Sequence, residues 1–356
     1  MKRKELELKK FNIFQDFVIE TNSIYLNYLT IENKKLKSDN SLYDNTLHFQ
    51  SCILSLYACF QKYLCKMFRV QLQQNPMFYF ASCNIKFSEL NDKLFNKNNI
   101  VNKLIEQRIN NFTYGISNLQ TLCKALNIDK IGSFNDLKND YEEFCFRRNI
   151  YAHGIDYITT EYLEASKRLS NKWLSNNQLI ETDEYVMFSI NTISKMFFQI
   201  YFELNIANKD KITLESLIIL EQVIFKYFYK YKNWNVASYV YGRLKNINMI
   251  IKQSNVMIWK QMFVVNYLYC QKQLGYDISQ TISKLNFEFE TKKFEIARCA
   301  LLDDFSSIYT KFIELQKSKV KNKLKIKKQD LKEWPIFEEF RKNELYLKLI
   351  EDESFI

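Results

Sequence analysis

Residues 133–154 read SFNDLKNDYEEFCFRRNIYAHG. Ser133-Phe-Asn-Asp opens a helix, because short polar side chains suit the free N–H groups of a first turn. No glycine or proline follows until Gly154, which stands where a helix takes a left-handed stop. The stretch predicts one helix over 134–153, and the same grammar runs along the chain. Its 356 residues are 47% apolar and 26% charged, the balance of a globular protein. They include only 5 glycines and 2 prolines, where average usage would be ~7% Gly and ~5% Pro. Sandwiches and barrels need those residues at their turns, so a β architecture is excluded. Gly115, Gly132, Gly154, Gly242 and Gly275 are isolated. They cannot build G-x-G-x-x-G or G-x-x-x-x-G-K-[ST], which excludes the corresponding nucleotide sites. The expected fold class is all-α.

Upstream, residues 2–35 predict a charged amphipathic helix with Leu6, Leu8, Phe11, Phe14, Phe17, Val18, Tyr25, Tyr28 and Leu29 as its apolar positions. A helix over about 44–72 carries Leu47, Ile53, Leu54, Tyr57, Phe60 and Leu64 at helical spacing. Short helices are expected near 86–96, 98–110 and 115–126. Downstream, Tyr162 to Trp173 and Asp183 to Ile206 read as two more helices, the second strongly aromatic. The expected organisation is an N-terminal helix (1–41) on a helical bundle (42–206), then a helical-hairpin domain (207–356). Residues 207–211 are the candidate linker. In the last region Trp234-x-x-Ala237-x-x-x-Tyr241 recurs as Phe294-x-x-Ala297-x-x-x-Leu301. This spacing resembles the second helix of a tetratricopeptide hairpin, although the usual Gly and Pro of that repeat are missing. Trp334-Pro335 is expected to dock the last helix, with Pro335 in its first turn.

Lys+Arg 51 against Asp+Glu 40 gives a net charge of +11, which fits a polyanionic partner. Lys317 to Lys328 interleaves lysines with Val320, Leu324 and Ile326. It is either a solvated face or a phosphate-contacting strip, with Lys319, Lys321 and Lys323 as the candidate RNA contacts. The 8 cysteines contain no C-x-x-C and read as buried, reduced thiols. The opening MKRKELELKK lacks an apolar core of the signal-peptide kind. No run reaches ~18 apolar residues. The expectation is a cytoplasmic protein without a membrane partner.

The chain has 2 histidines, His48 and His153, which excludes H-E-x-x-H and multi-histidine metal sites. His48 reads as structural. Asn149 and His153 are i, i+4 and share a helix face. Arg148 and His153 are about 140° apart around the helix, so they converge only on a ligand or partner lying across it. His153 falls at the helix C-terminus, where the dipole favours imidazolium. Arg147 and Arg148 oppose that, a balance suited to general acid–base work. Arg148 is either a site residue or an ion-pair partner of Glu142 or Glu143. Arg147 is either a solvated charge or a phosphate contact. Asp156 either orients the imidazole or is a loop residue.

Arg148-x4-His153 within Arg148-Asn149-x-x-Ala152-His153-Gly154 resembles the signature of HEPN domains (higher eukaryotes and prokaryotes nucleotide-binding). The resemblance covers about residues 42–206. Ala58-x-x-Gln61-x-Tyr63 resembles the family's first long helix, with Gln61 where many members carry an acidic residue. The resemblance implies a helical bundle that homodimerises through its motif helices. It further implies a metal-independent endoribonuclease without cofactor, of the toxin or anti-phage abortive-infection kind, or else a silent RNA-binding or scaffold module. Arg148 would hold the scissile phosphate, His153 would move the proton of the 2′-hydroxyl or the leaving 5′-oxygen, and Asn149 would orient one of them. Expected partners are RNA (tRNA or mRNA), a second copy of the chain, and an antitoxin or activator protein on the C-terminal helices.

Overall fold

A computed structural model describes residues 3–35, 42–74, 97–115, 118–128, 131–155, 157–176, 178–207, 220–229, 231–246, 254–284, 292–317 and 326–351. The fold is all-α: the only strands among the described residues are β1 (Leu174–Ser175) and β2 (Gln178–Leu179), a two-residue antiparallel ladder. The chain divides into two compact units, Met1–Lys209 and Asp210–Ile356.

The N-terminal unit contains α1 (Arg3–Lys35), α2 (Leu42–Gln74), α3 (Lys97–Gly115) and α4 (Leu119–Leu126). After them come α5 (Asn135–His153), α6 (Thr160–Arg168) and α7 (Asp183–Phe202). α1 lies on α2 and α7, while α5 packs on α2, α6 and α7. Aromatic side chains form the seams. Phe17 of α1 stacks on Phe197 of α7 at 4.2 Å between centroids and meets Phe60 of α2 edge-on. Phe14 stacks on Tyr201 at 5.0 Å, and Phe60 of α2 meets Tyr141 of α5 at 5.7 Å. Such pairs add about 0.5–1.5 kcal/mol each beyond their buried area. Leu8, expected on the apolar face of α1, is exposed.

Several boundaries differ from the sequence expectation, each for a local reason. A 3-10 turn, Ile131–Phe134, leads into α5, so Ser133 does not cap it. The helix expected to reach Trp173 ends at Arg168. Ser170 and Asn171 adopt left-handed backbone (φ 55° and 54°), which ends a helix and starts the turn into β1. α7 stops at Phe202 and widens into a π-helical turn, Glu203–Ala207. The helix expected over 86–96, and residues 208–211 of the candidate linker, lie outside the described residues.

The C-terminal unit begins, among the described residues, with helix 220–223 and a π-helical segment, Ile224–Tyr229. α8 (Trp234–Lys245) packs on α9 (Ser254–Gln273). Asn233 caps α8, its side chain accepting from the Val236 N–H at 3.3 Å. Gly242 faces Tyr267 of α9, and a Cβ there would stand 3.4 Å from its ring, at ordinary contact distance. After α10 (Ser279–Lys284), α11 (Lys292–Leu301) packs on α12 (Phe305–Lys317). Ala237, Tyr241, Phe294, Ala297 and Leu301 are all buried. α13 (Lys328–Glu333) and α14 (Glu344–Glu351) complete the unit. Pro335 starts a 3-10 turn, Pro335–Phe337, rather than the last helix, and Trp334, Phe337 and Phe340 are buried there. No described helix is long and apolar enough to cross a membrane.

Candidate functional site

α5 carries the arginines and the histidine, and its end sets where they point. Gly154 takes a left-handed conformation (φ 57°, ψ 41°). The Ile155 N–H returns to the Ile150 carbonyl at 3.0 Å, closing the helix one residue after His153. The imidazole is exposed, and among the described residues no hydrogen bond orients it. Asn149, one turn earlier, is half-buried.

Arg147 and Arg148 diverge. Arg147, expected as a solvated charge or phosphate contact, is fully buried (0% exposed). Its Nε lies 3.3 Å from Glu143 Oε1. Nη1 donates to the Ile180 carbonyl at 2.7 Å and Nη2 to the Trp173 carbonyl at 2.8 Å. Nη2 also donates to the Tyr162 hydroxyl at 2.6 Å, and the Tyr185 ring lies 3.6 Å beneath the guanidinium. Tyr162 and Tyr185 in turn donate to the two oxygens of Glu143 at 2.6 and 2.7 Å. Burial raises the Glu143 carboxyl above its usual range, and Arg147 opposes the shift, with help from the two phenols. The network pins the β-hairpin and α6 to α5. Arg147 is thus a buried, ion-paired cation and not the solvated charge that the sequence also allowed.

Arg148 has the opposite environment. Glu143 pairs with Arg147, and Glu142 pairs with Arg168 at 2.6 Å. No carboxylate among the described residues pairs with Arg148. Its guanidinium lies 3.4 Å above the Tyr57 ring of α2, and its Nε is buried without a hydrogen-bond partner. Stacking on a buried aromatic fixes a guanidinium plane without spending its charge, and contributes roughly 0.5–2 kcal/mol. Burial raises the Tyr57 phenol, helped by Cys145, while Arg148 draws it down. Tyr57 was legible as a core position of its helix, but nothing in the sequence pairs it with Arg148.

Tyr151 packs edge-on against Phe49 at 6.2 Å, whereas Tyr157 beyond the helix is 71% exposed. His48 stacks on Tyr28 at 5.0 Å, and its Nε2 lies 3.3 Å from the Tyr28 carbonyl. Lys319, Lys321, Lys323 and Asp156 lie outside the described residues. Burial pushes the thiols of Cys52, Cys123, Cys145 and Cys270 up to about 12, so they are not nucleophiles near neutral pH. The described residues contain no cluster of three His, Cys, Asp or Glu able to hold a metal.

No family model, curated protein or solved structure matches the chain.

Proposed function

We propose that the chain is a HEPN-like, metal-independent endoribonuclease whose working residues are Arg148, Asn149 and His153. One observation supports this reading above the rest. Of two adjacent arginines, one is consumed by a buried ion pair, while Arg148 is held flat on Tyr57 with no carboxylate on it. A cation fixed in this way is ready for an anion, and a phosphodiester is the anion that the nearby His153 would serve. Arg148 binds the scissile phosphate and offsets the charge that builds on it. His153 moves the proton of the attacking 2′-hydroxyl or of the leaving 5′-oxygen, and Asn149 orients one of these groups. Cleavage by 2′-hydroxyl attack needs both an acid and a base. One chain offers a single suitable histidine, so a second copy supplies the other His153 across a two-fold axis. The products are a 2′,3′-cyclic phosphate and a 5′-hydroxyl. An activity of this kind belongs to a toxin or anti-phage effector, with the C-terminal helices as the docking place of an antitoxin or activator.

The second reading is a non-catalytic dimeric scaffold or RNA-binding module. It is favoured by the exposed His153, whose ring no described side chain orients, and by Gln61 where the resembled family often has an acid. The two readings part in one assay. Purified protein is incubated with total RNA and tRNA in EDTA, beside His153→Ala and Arg148→Ala. Cleavage that survives EDTA and falls at least a hundredfold in both variants supports the nuclease (on the order of the loss when a general acid–base is removed). RNA binding without cleavage, unchanged by His153→Ala, supports the scaffold.

A further inference from the structure

The N-terminal unit buries Glu143 and Glu203 and the C-terminal unit buries Glu221, all three hydrogen-bonded, and Glu143 and Glu221 are compensated differently. Glu143 has a cation at 3.3 Å and a phenol on each oxygen. Glu221, in the C-terminal unit, is 9% exposed. Its Oε1 accepts from the Tyr241 hydroxyl of α8 and from Asn266 Nδ2 of α9, both at 2.8 Å. Its Oε2 is buried with no partner. Asn266 passes the network on: its Oδ1 accepts from the Trp334 indole N–H at 2.9 Å. Glu221 thus ties α8, α9 and the Trp334 turn together through two neutral donors on one oxygen.

The groups facing Glu221 are Tyr229 on its own segment, Tyr241 on α8, Asn266 and Cys270 on α9, and Trp334 beyond them. Lys293 lies on the Trp334 ring at 5.5 Å from its centroid and pairs with Asp330 at 3.8 Å. None of the described groups facing Glu221 is a cation. A carboxylate buried against phenols, an amide and a thiol lacks the charge partner that a buried ion requires.

We propose that Glu221 is a proton-controlled latch of the C-terminal unit, which holds α8, α9 and the Trp334 turn together when protonated and loosens them when it ionises. The surroundings make it the group that titrates. Burial pushes its carboxyl up to about 7, with Tyr241 and Asn266 pulling the other way. Burial also holds the Tyr229 and Tyr241 phenols well above their usual range and the Cys270 thiol at about 12, so all three stay neutral at physiological pH. A carboxyl raised in the folded state favours folding while it carries its proton. That contribution is complete below the unfolded value of about 4.3. It fades as pH rises through about 7, because the folded unit must then bury a charge.

The test is hydrogen exchange of the full-length chain at pH 5 and pH 8, read on peptides from α8 and α9 and corrected for intrinsic exchange chemistry. Glu221→Gln keeps the shape and removes the titration. The ratio of wild-type to variant opening is expected to grow on the order of a hundredfold between the two pH values, the equivalent of about two pKa units. An unchanged ratio overturns the latch. Should Glu221→Gln fail to fold, the wild type alone decides. Corrected opening of α8 and α9 that rises with pH supports the latch, and opening that stays flat or falls overturns it.

Discussion

A guanidinium with no exposed surface persists only where its N–H groups find acceptors, and Arg147 meets that condition through Glu143, Tyr162 and the carbonyls of Trp173 and Ile180. Removing one side of such a pair strands the other charge in the core. Arg147→Ala is therefore expected to cost about 3–5 kcal/mol in urea unfolding of the N-terminal unit. Arg148→Ala loses a stacking contact and is expected to cost about 0.5–2 kcal/mol. Equal losses for the two variants would contradict the division of roles between them. The sequence reading offered Glu142 or Glu143 to Arg148 and left Arg147 to solvent, although Glu143 and Arg147 stand i, i+4 with the acid on the N-terminal side, the favoured orientation. The tyrosines and carbonyls that draw the pair inward come from residues 162–185, and no local pattern announces them. Tyr57 beneath Arg148 was hidden for the same reason.

At the scale of elements, the end of α5 matters most, because it sets the exposure of His153. Gly154 has no heavy atom within 4 Å of a built Cβ, so space does not forbid a side chain there. The cost comes from the backbone, since φ of 57° is left-handed. Gly154→Ala is expected to destabilise by roughly 1–2 kcal/mol and to depress cleavage more than binding, as the helix end that carries His153 shifts. Thermal unfolding and RNA binding measured together check this, and a variant as stable and active as the wild type would contradict it. The stop at Gly154 was plain in the sequence because glycine marks it directly. The stop after Arg168 was missed because apolar residues continue to Trp173, although Ser170 and Asn171 were its signal. Irregular backbone follows there, and Arg147 takes two of its carbonyls.

At the scale of the molecule, the all-α class followed from the scarcity of glycine and proline, since turns restrict a β fold more than hydrophobic pattern does. The chemistry reads differently, because spacing places Arg148 and His153 on one helix but cannot say which charges the core will consume. Cleavage by this route requires Arg148 to remain available to a phosphate and His153 to move the 2′-hydroxyl proton. The most direct measurement uses one oligoribonucleotide in EDTA, with either ribose or 2′-deoxyribose at the cleaved position. The ribose form is expected to yield a 2′,3′-cyclic phosphate and a 5′-hydroxyl. The deoxyribose form should stay whole, and His153→Ala should cut neither. Cleavage of the deoxyribose form at the same rate, or undiminished cleavage by His153→Ala, would contradict this route.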